Sequence, residues 1–156
     1  MASHLRRPER EERTHALHRL AMLNPEDAFE LAMPLLEDTE AGVRAACCRC
    51  LGTIRDTRCI QPLLLMLASD SAEAAQAGVL VGLEEYHSDE IGESLLGLAE
   101  KPNLSDLALP ILYRQLWKYP SERTIASLHL ALASSTSRQC RESIEGSVRF
   151  LTRLGS

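Results

Sequence analysis

Apolar residues in this chain recur three and four positions apart, in short blocks separated by polar turns. Ala28, Leu31, Ala32 and Leu35 form one stripe, Ile60, Leu63, Leu64 and Leu67 a second, and Ile91, Leu95, Leu98 and Ala99 a third. Such stripes predict amphipathic helices that each bury one side. The blocks also repeat. Shifts of 32 or 33 residues bring Asp38, Asp70 and Asn103 into register just before three helices, Leu51, Leu83 and Leu116 within them, and Ile54, Tyr86 and Tyr119 after those. Each first helix meets a break, at Gly52 to Asp56, His87 to Ser88 and Pro120 to Ser121. A second helix then starts at Thr57, Ser88 or Ser121, whose hydroxyl can accept from the orphan N–H groups of a first turn.

Two helices per repeat follow. The first repeat spans about residues 8–37: an opening helix from Pro8 to Leu23, an Asn24 cap, Pro25 in the next first turn, and Glu26 and Asp27 set against the helix dipole. Repeats two to four cover about 38–69, 70–102 and 103–135, and a last helix from Ser137 to Leu154 has no partner. Pro110 falls within the first helix of the fourth repeat, where it is expected to kink the axis. The expected fold is all-α: a right-handed α-solenoid of about four and a half helical hairpins and about nine helices, one domain over 8–156 behind a disordered tail at 1–7. In the last helix Ile144, Val148, Phe150 and Leu151 are expected inward, with Arg138, Arg141, Glu145, Arg149 and Arg153 outward. The opening helix repeats this arrangement, so both ends read as capped and the chain is expected to be complete.

The 156 residues, 45% of them apolar, are enough to bury a full core. Abundant Leu and Ala with few aromatic residues favour close-packed helices over a sheet. No apolar stretch reaches membrane-span length, and the charged N-terminus lacks the apolar core of a signal segment. Five cysteines, four of them crowded at Cys47, Cys48, Cys50 and Cys59, fit a reducing cytoplasm better than a disulfide framework. The excess of Arg over Lys, fifteen to two, points to a GC-rich, bacterial coding genome.

Charge then changes the picture. Residues 1–19 carry five Arg against three Glu, and residues 138–156 four Arg against two Glu, so the net charge of −5 conceals −9 in the middle. From Asp70 to Glu100 there are eight acids and no Lys or Arg. That disfavours a phosphate backbone as ligand and favours a basic partner. Solvated helix faces that keep the chain soluble are the plainer account of the same acids.

One repeat carries a recognisable motif: Asp38, Val43-Arg44, Ala45-Ala46, Leu51-Gly52, Asp56, Ile60 and Pro62-Leu63-Leu64. It resembles the HEAT-repeat family, in particular the short bacterial HEAT-like repeats also found in phycobilisome lyases. The resemblance implies that Arg44 and the turn residue Asp56 belong to a hydrogen-bonded ladder between neighbouring repeats. Repeat three departs from it with Ala75-Gln76 in place of Val-Arg, and repeat four with Ala108-Leu109-Pro110, so the ladder is expected to break there.

Catalytic chemistry finds little support. Cys47 and Cys50 share a helical face and Cys59 could approach them, but a zinc site lacks its fourth ligand, and free cysteines are commonly small core residues. His15 with His18, and Asp89 with Glu90 and Glu93, bring no convergent partner; the acids suit a helix N-terminus. There is no phosphate-binding glycine loop, nucleophile elbow or HExxH sequence. No catalytic residue, metal or cofactor is therefore assigned. A HEAT-like DNA glycosylase would need a basic groove, whereas the helices expected to line the concave side carry Glu26, Asp27, Glu30, Glu37, Asp89, Glu90, Glu93 and Glu100. Similarity to a lyase is confined to the repeat itself.

The functional expectation is a non-enzymatic protein-interaction module, an adaptor or scaffold that holds a basic or amphipathic protein segment on the second helices, with no nucleic acid or membrane partner. The expected contact residues are Glu30, Met33, Glu37, Arg58, Gln61, Leu65, Asp89, Glu93, Ser127 and His129, the second-helix positions left once the core stripe is assigned. Leu65 stands out because Leu63-Leu64-Leu65-Met66-Leu67 is more apolar than one face can bury. The alternative is an assembly or chaperone-like subunit that docks end to end through the terminal helices.

Overall fold

In a computed structural model, residues 6–155 are described, with side-chain detail from Glu11 onward. Residues 1–5 of the expected N-terminal tail lie outside the described residues. The described chain is all-α, with nine α-helices and two short 3-10 turns: α1 (Arg6–Leu23), α2 (Pro25–Leu35), α3 (Ala41–Ile54), α4 (Ile60–Ser69), α5 (Glu73–Leu83), α6 (Asp89–Glu100), α7 (Leu109–Gln115), α8 (Glu122–Ser134) and α9 (Arg138–Leu154). Contacts divide it into two compact units, one through Tyr86 and one from His87. The division falls inside the third repeat, between α5 and α6.

In the N-terminal unit α3 packs against α1, α2 and α5, and α4 packs on α5. Leu51 and Leu83, one repeat apart, are both fully buried. The aspartates that precede the two first helices do the same local work: Asp38 Oδ1 accepts from Glu40 N at 2.8 Å and Asp70 Oδ1 from Ala72 N at 2.9 Å. Asn24 caps α2 through Asp27 N, as its sequence signature predicts. The cap before α4 is different from the one expected. Asp56, not Thr57, accepts from Arg58 N, because the chain first makes a 3-10 turn over Thr57–Cys59. The stripe of α2 also rotates: Ala28 and Ala32 are fully buried while Leu31 is exposed.

In the C-terminal unit α6 packs with α7 and α8, and α9 packs on both α7 and α8. Ser88 and Ser121 cap α6 and α8 through Ile91 N and Thr124 N. Leu116 is fully buried, like its counterparts Leu51 and Leu83. Pro110 corrects the sequence reading. Residues 103–105 are irregular and 106–108 form a turn, α7 starts only at Leu109, and Pro110 lies in its first turn, where a missing N–H has no intrahelical partner to lose. The proline therefore starts a helix and does not kink one. Phe150 is a second correction: it is 43% exposed, while Ile144, Ser147 and Leu151 face inward.

Candidate functional site

Three of the ten expected contact residues meet in one cleft. Met33 near the end of α2, Glu37 just beyond it and Leu65 on α4 line an opening of about 500 Å³, with Leu36, Pro62 and Met66 completing an apolar surface. The run Leu63 to Leu67 explains why. Leu63, Met66 and Leu67 turn inward, leaving Leu65 67% exposed at the mouth. Fully burying a leucine is worth about 2 kcal/mol, so a partner that covers Leu65 gains a good part of that.

The cleft's far wall is a half-buried ion pair. Arg44 Nε lies 2.7 Å from Asp70 Oδ2 and its Nη2 3.1 Å from Oδ1, while Nη1 donates to the carbonyls of Asp38 and Thr39. These bonds hold the Asp70 carboxyl below its ordinary range, with the Ala72 N–H helping. The inter-repeat partner of Arg44 is thus Asp70 and not the expected Asp56, which instead caps the 3-10 turn and binds Arg58. Asp56 lies in the same repeat as Arg44 and its carboxylate is taken by Arg58, whereas Asp70 opens the next repeat. Gln76 keeps part of the pattern: its Nε2 donates to the Asp70 carbonyl at 3.0 Å, as Arg44 does to that of Asp38. With Arg44 and Asp70 neutralising each other, Glu37 is the cleft's uncompensated charge, having no ion-pair partner among the described residues.

The remaining expected residues disperse. Arg58 is exposed but engaged, bonded to Asp56 at 2.6 Å and Glu26 at 2.8 Å, with its guanidinium 4.2 Å above the Phe29 ring centre. Glu30 and Gln61 are exposed outside the cleft. In the C-terminal unit Asp89 and Glu93 line a separate opening of about 630 Å³ beside Tyr119 and Gly92. Glu93 is held there by Arg123 at 2.9 Å, and Arg123 also grips Glu100 through two bonds. His129 is exposed and lines neither opening. Ser127 is a correction: it is buried at 8% exposure, its hydroxyl donating to Glu100 Oε1 at 3.4 Å, because α8 turns that side toward the unit's interior. Sequence reasoning missed Arg44, Asp70, Pro62 and Met66 as cleft walls. The repeat register of Asp38 with Asp70 was the available signal, since it places an acid at the head of the repeat that follows Arg44.

The cysteines are packing residues. Cys47, Cys48, Cys50, Cys59 and Cys140 are all buried and free. Cys50 Sγ donates to the Leu17 carbonyl at 3.5 Å, and Cys48 Sγ lies 3.4 Å from Met66 Sδ. Burial pushes the Cys47 and Cys48 thiols up to about 12 and Cys50 to about 11, so they stay protonated and poorly nucleophilic near neutral pH. Among the described residues no helix is long and apolar enough to cross a membrane.

A family model described as HEAT repeats matches residues 1–84, just over half the chain. No curated protein matches. The matched stretch contains both hairpins that build the cleft and ends two residues before the N-terminal unit does. HEAT repeats generally mediate protein–protein interaction and are typically non-enzymatic scaffolds. With an all-α chain of helical hairpins, a repeat register carried by Asp38 and Asp70, and a family match over that same stretch, the chain belongs to the HEAT-repeat family.

Proposed function

We propose that this protein is a cytoplasmic adaptor that holds a basic, amphipathic protein segment in the cleft between α2 and α4. The observation that carries the reading is Leu65, exposed beside Met33 in a cleft where, among the described residues, the carboxylate of Glu37 is left uncompensated. A helix with apolar residues at i and i+4 would cover Leu65 and Met33, and a Lys or Arg one turn away would meet Glu37. Further acids on α2, Asp27 and Glu30, would favour the approach of a basic segment and repel nucleic acid. Five free cysteines fit a reducing compartment. No residue is assigned to catalysis, and no metal or cofactor enters the reading.

The test is selection from a randomised peptide library on the immobilised full chain, with wild type beside the double variant Glu37→Lys, Leu65→Glu. Both positions are exposed, and circular dichroism checks that the variant stays folded. Wild type is expected to enrich Lys- or Arg-bearing peptides with helical apolar spacing, binding the variant at least about tenfold more weakly. Enrichment that is equal on both, or absent on wild type, overturns the reading.

A further inference from the structure

The chain's single tryptophan is 40% exposed. Trp117, in the 3-10 turn that follows α7, packs against Phe150 of α9 with ring centres 4.6 Å apart at 59°. Phe150 is itself 43% exposed, so two of the chain's three Trp and Phe residues stand together at the surface. Aromatic side chains gathered in this way are enriched at the centres of protein interfaces. One turn earlier on α9 lies Gly146. A Cβ there would meet nothing within 4 Å, so the glycine leaves an open floor beside the two rings. A glycine inside a helix costs about 1 kcal/mol relative to alanine. No close approach within the described residues requires this one. Rings and floor bound a cleft of about 440 Å³ that Arg114 also lines.

The charges around this cleft have the opposite sign to those near Leu65. Glu142, the lining carboxylate, is taken by Arg138 at 2.8 Å. Arg153 follows Gly146 by seven residues and Phe150 by three, so it continues the same helical face, and it has no ion-pair partner among the described residues. From Arg138 to Gly155 there are four Arg and two Glu. We propose that this cleft is a second docking site, for an acidic segment of a partner protein that inserts an apolar side chain between Trp117 and Phe150 over Gly146. One of its carboxylates pairs with Arg153, whose planar guanidinium group suits two-point carboxylate recognition. The site does not depend on the cleft at Leu65. If both are present, one chain holds two segments of opposite charge.

Trp117 supplies its own reporter, since the chain has no other tryptophan. Peptides are selected from a randomised library on the immobilised full chain, then titrated against it in solution by tryptophan emission, with the variants Gly146→Leu and Arg153→Glu alongside. Gly146→Leu fills the floor from an open helix position, and Arg153→Glu changes only an exposed charge, so at least one readout is independent of folding. The expected result is a set of acidic peptides with an apolar anchor that shift Trp117 emission and bind each variant at least about tenfold more weakly. They should bind the Glu37→Lys, Leu65→Glu variant as tightly as wild type. Three results overturn the proposal: emission-shifting peptides of net positive charge, unchanged affinity for both variants, or sedimentation in which wild type self-associates and Gly146→Leu does not, which would make the occupant a second copy of the chain.

Discussion

The two units hold their helices together by different means. In the N-terminal unit α3 and α5 touch backbone to backbone: a Cβ on Gly52 would sit 2.7 Å from the Gly82 carbonyl oxygen, one on Gly78 2.6 Å from Ala45 Cα, and one on Gly82 would collide with the Cys48 carbonyl oxygen. In the C-terminal unit side chains fill the gaps. Tyr119 lies on Gly92, Ser147 Oγ donates to the Tyr113 carbonyl at 2.7 Å, and Thr124 Oγ1 donates to that of Tyr119 at 2.7 Å. Small residues at fixed spacing are a sequence pattern, and the family match covers the unit that uses them. A hydroxyl-to-carbonyl bond between helices also occurs in the N-terminal unit, from Tyr86 to the Leu51 carbonyl, so the difference between the units lies in the glycine contacts of α3 with α5.

The strongest way to break this comparison is Gly82→Ala. Its methyl group meets main chain, which cannot step aside, so α3 and α5 must part, with an expected loss of about 3 kcal/mol in urea unfolding. Gly92→Ala in the other unit meets a tyrosine ring at Cδ1 and Cγ, 2.6 and 2.9 Å away, a side chain that must shift but not main chain, and should lose less, about 2 kcal/mol. Thiol labelling sharpens the contrast, because Cys47, Cys48, Cys50 and Cys59 report on one unit and Cys140 on the other. Gly82→Ala should speed labelling of the first four and leave Cys140 protected. If Cys140 labels in step with them, the two units open as one and their separate packing has no separate consequence.

Next in size is Arg44→Met, which keeps the volume but leaves the Asp70 carboxylate, 10% exposed, without its bidentate partner. About 2 kcal/mol should be lost at neutral pH, less than the roughly 3–5 kcal/mol for a fully buried pair because both side chains keep some contact with solvent. The pH dependence has a fixed sign. Arg44 holds the folded-state value of Asp70 below the ordinary 3.8, so the stabilisation is present above 3.8 and is lost as pH falls through the lower folded value. The gap between wild type and variant should therefore narrow only below pH 3.8. A gap that stays constant through the acid range would assign the loss to packing. Ser147→Ala, the corresponding cut in the C-terminal unit, removes one of two donors to the Tyr113 carbonyl, which Leu116 N still bonds, and should lose about 0.5 to 1 kcal/mol at every pH.

How much could be read beforehand follows the same division. Helix boundaries set by caps were legible: Asn24, Ser88 and Ser121 act locally, and a cap needs only the next three residues. Helix starts governed by proline were not, since Pro110 can kink or begin a helix and only the non-helical course of 103–108 decides which. For the candidate site, Leu65 was legible because five consecutive apolar residues cannot share one face. Ser127 was not, because its burial depends on which side α8 offers the unit's interior. Phe150 fell to the same limit, and with it the aromatic pair. Periodicity assigns a face to a helix only within about a third of a turn, and residues at the stripe's edge are settled by neighbours distant in sequence.

The smallest effects belong to two arginines that look alike in sequence. Arg58 joins Glu26 to Asp56 in the N-terminal unit, and Arg123 joins Glu93 to Glu100 in the C-terminal one, each with about half of its side chain exposed. Exposed pairs of this kind gain little over hydration, and at about 1 M salt the screening length falls to about 3 Å. Arg123→Gln should therefore lower the urea midpoint slightly at low salt and not at all at high salt. Arg58→Gln should keep a residual deficit in high salt, because its guanidinium also covers the Phe29 ring at 4.2 Å, and that apolar contact is not screened away. If the two variants respond to salt identically, the ring contact adds nothing, and the exposed clamps of the two units are equivalent even though their interiors are not.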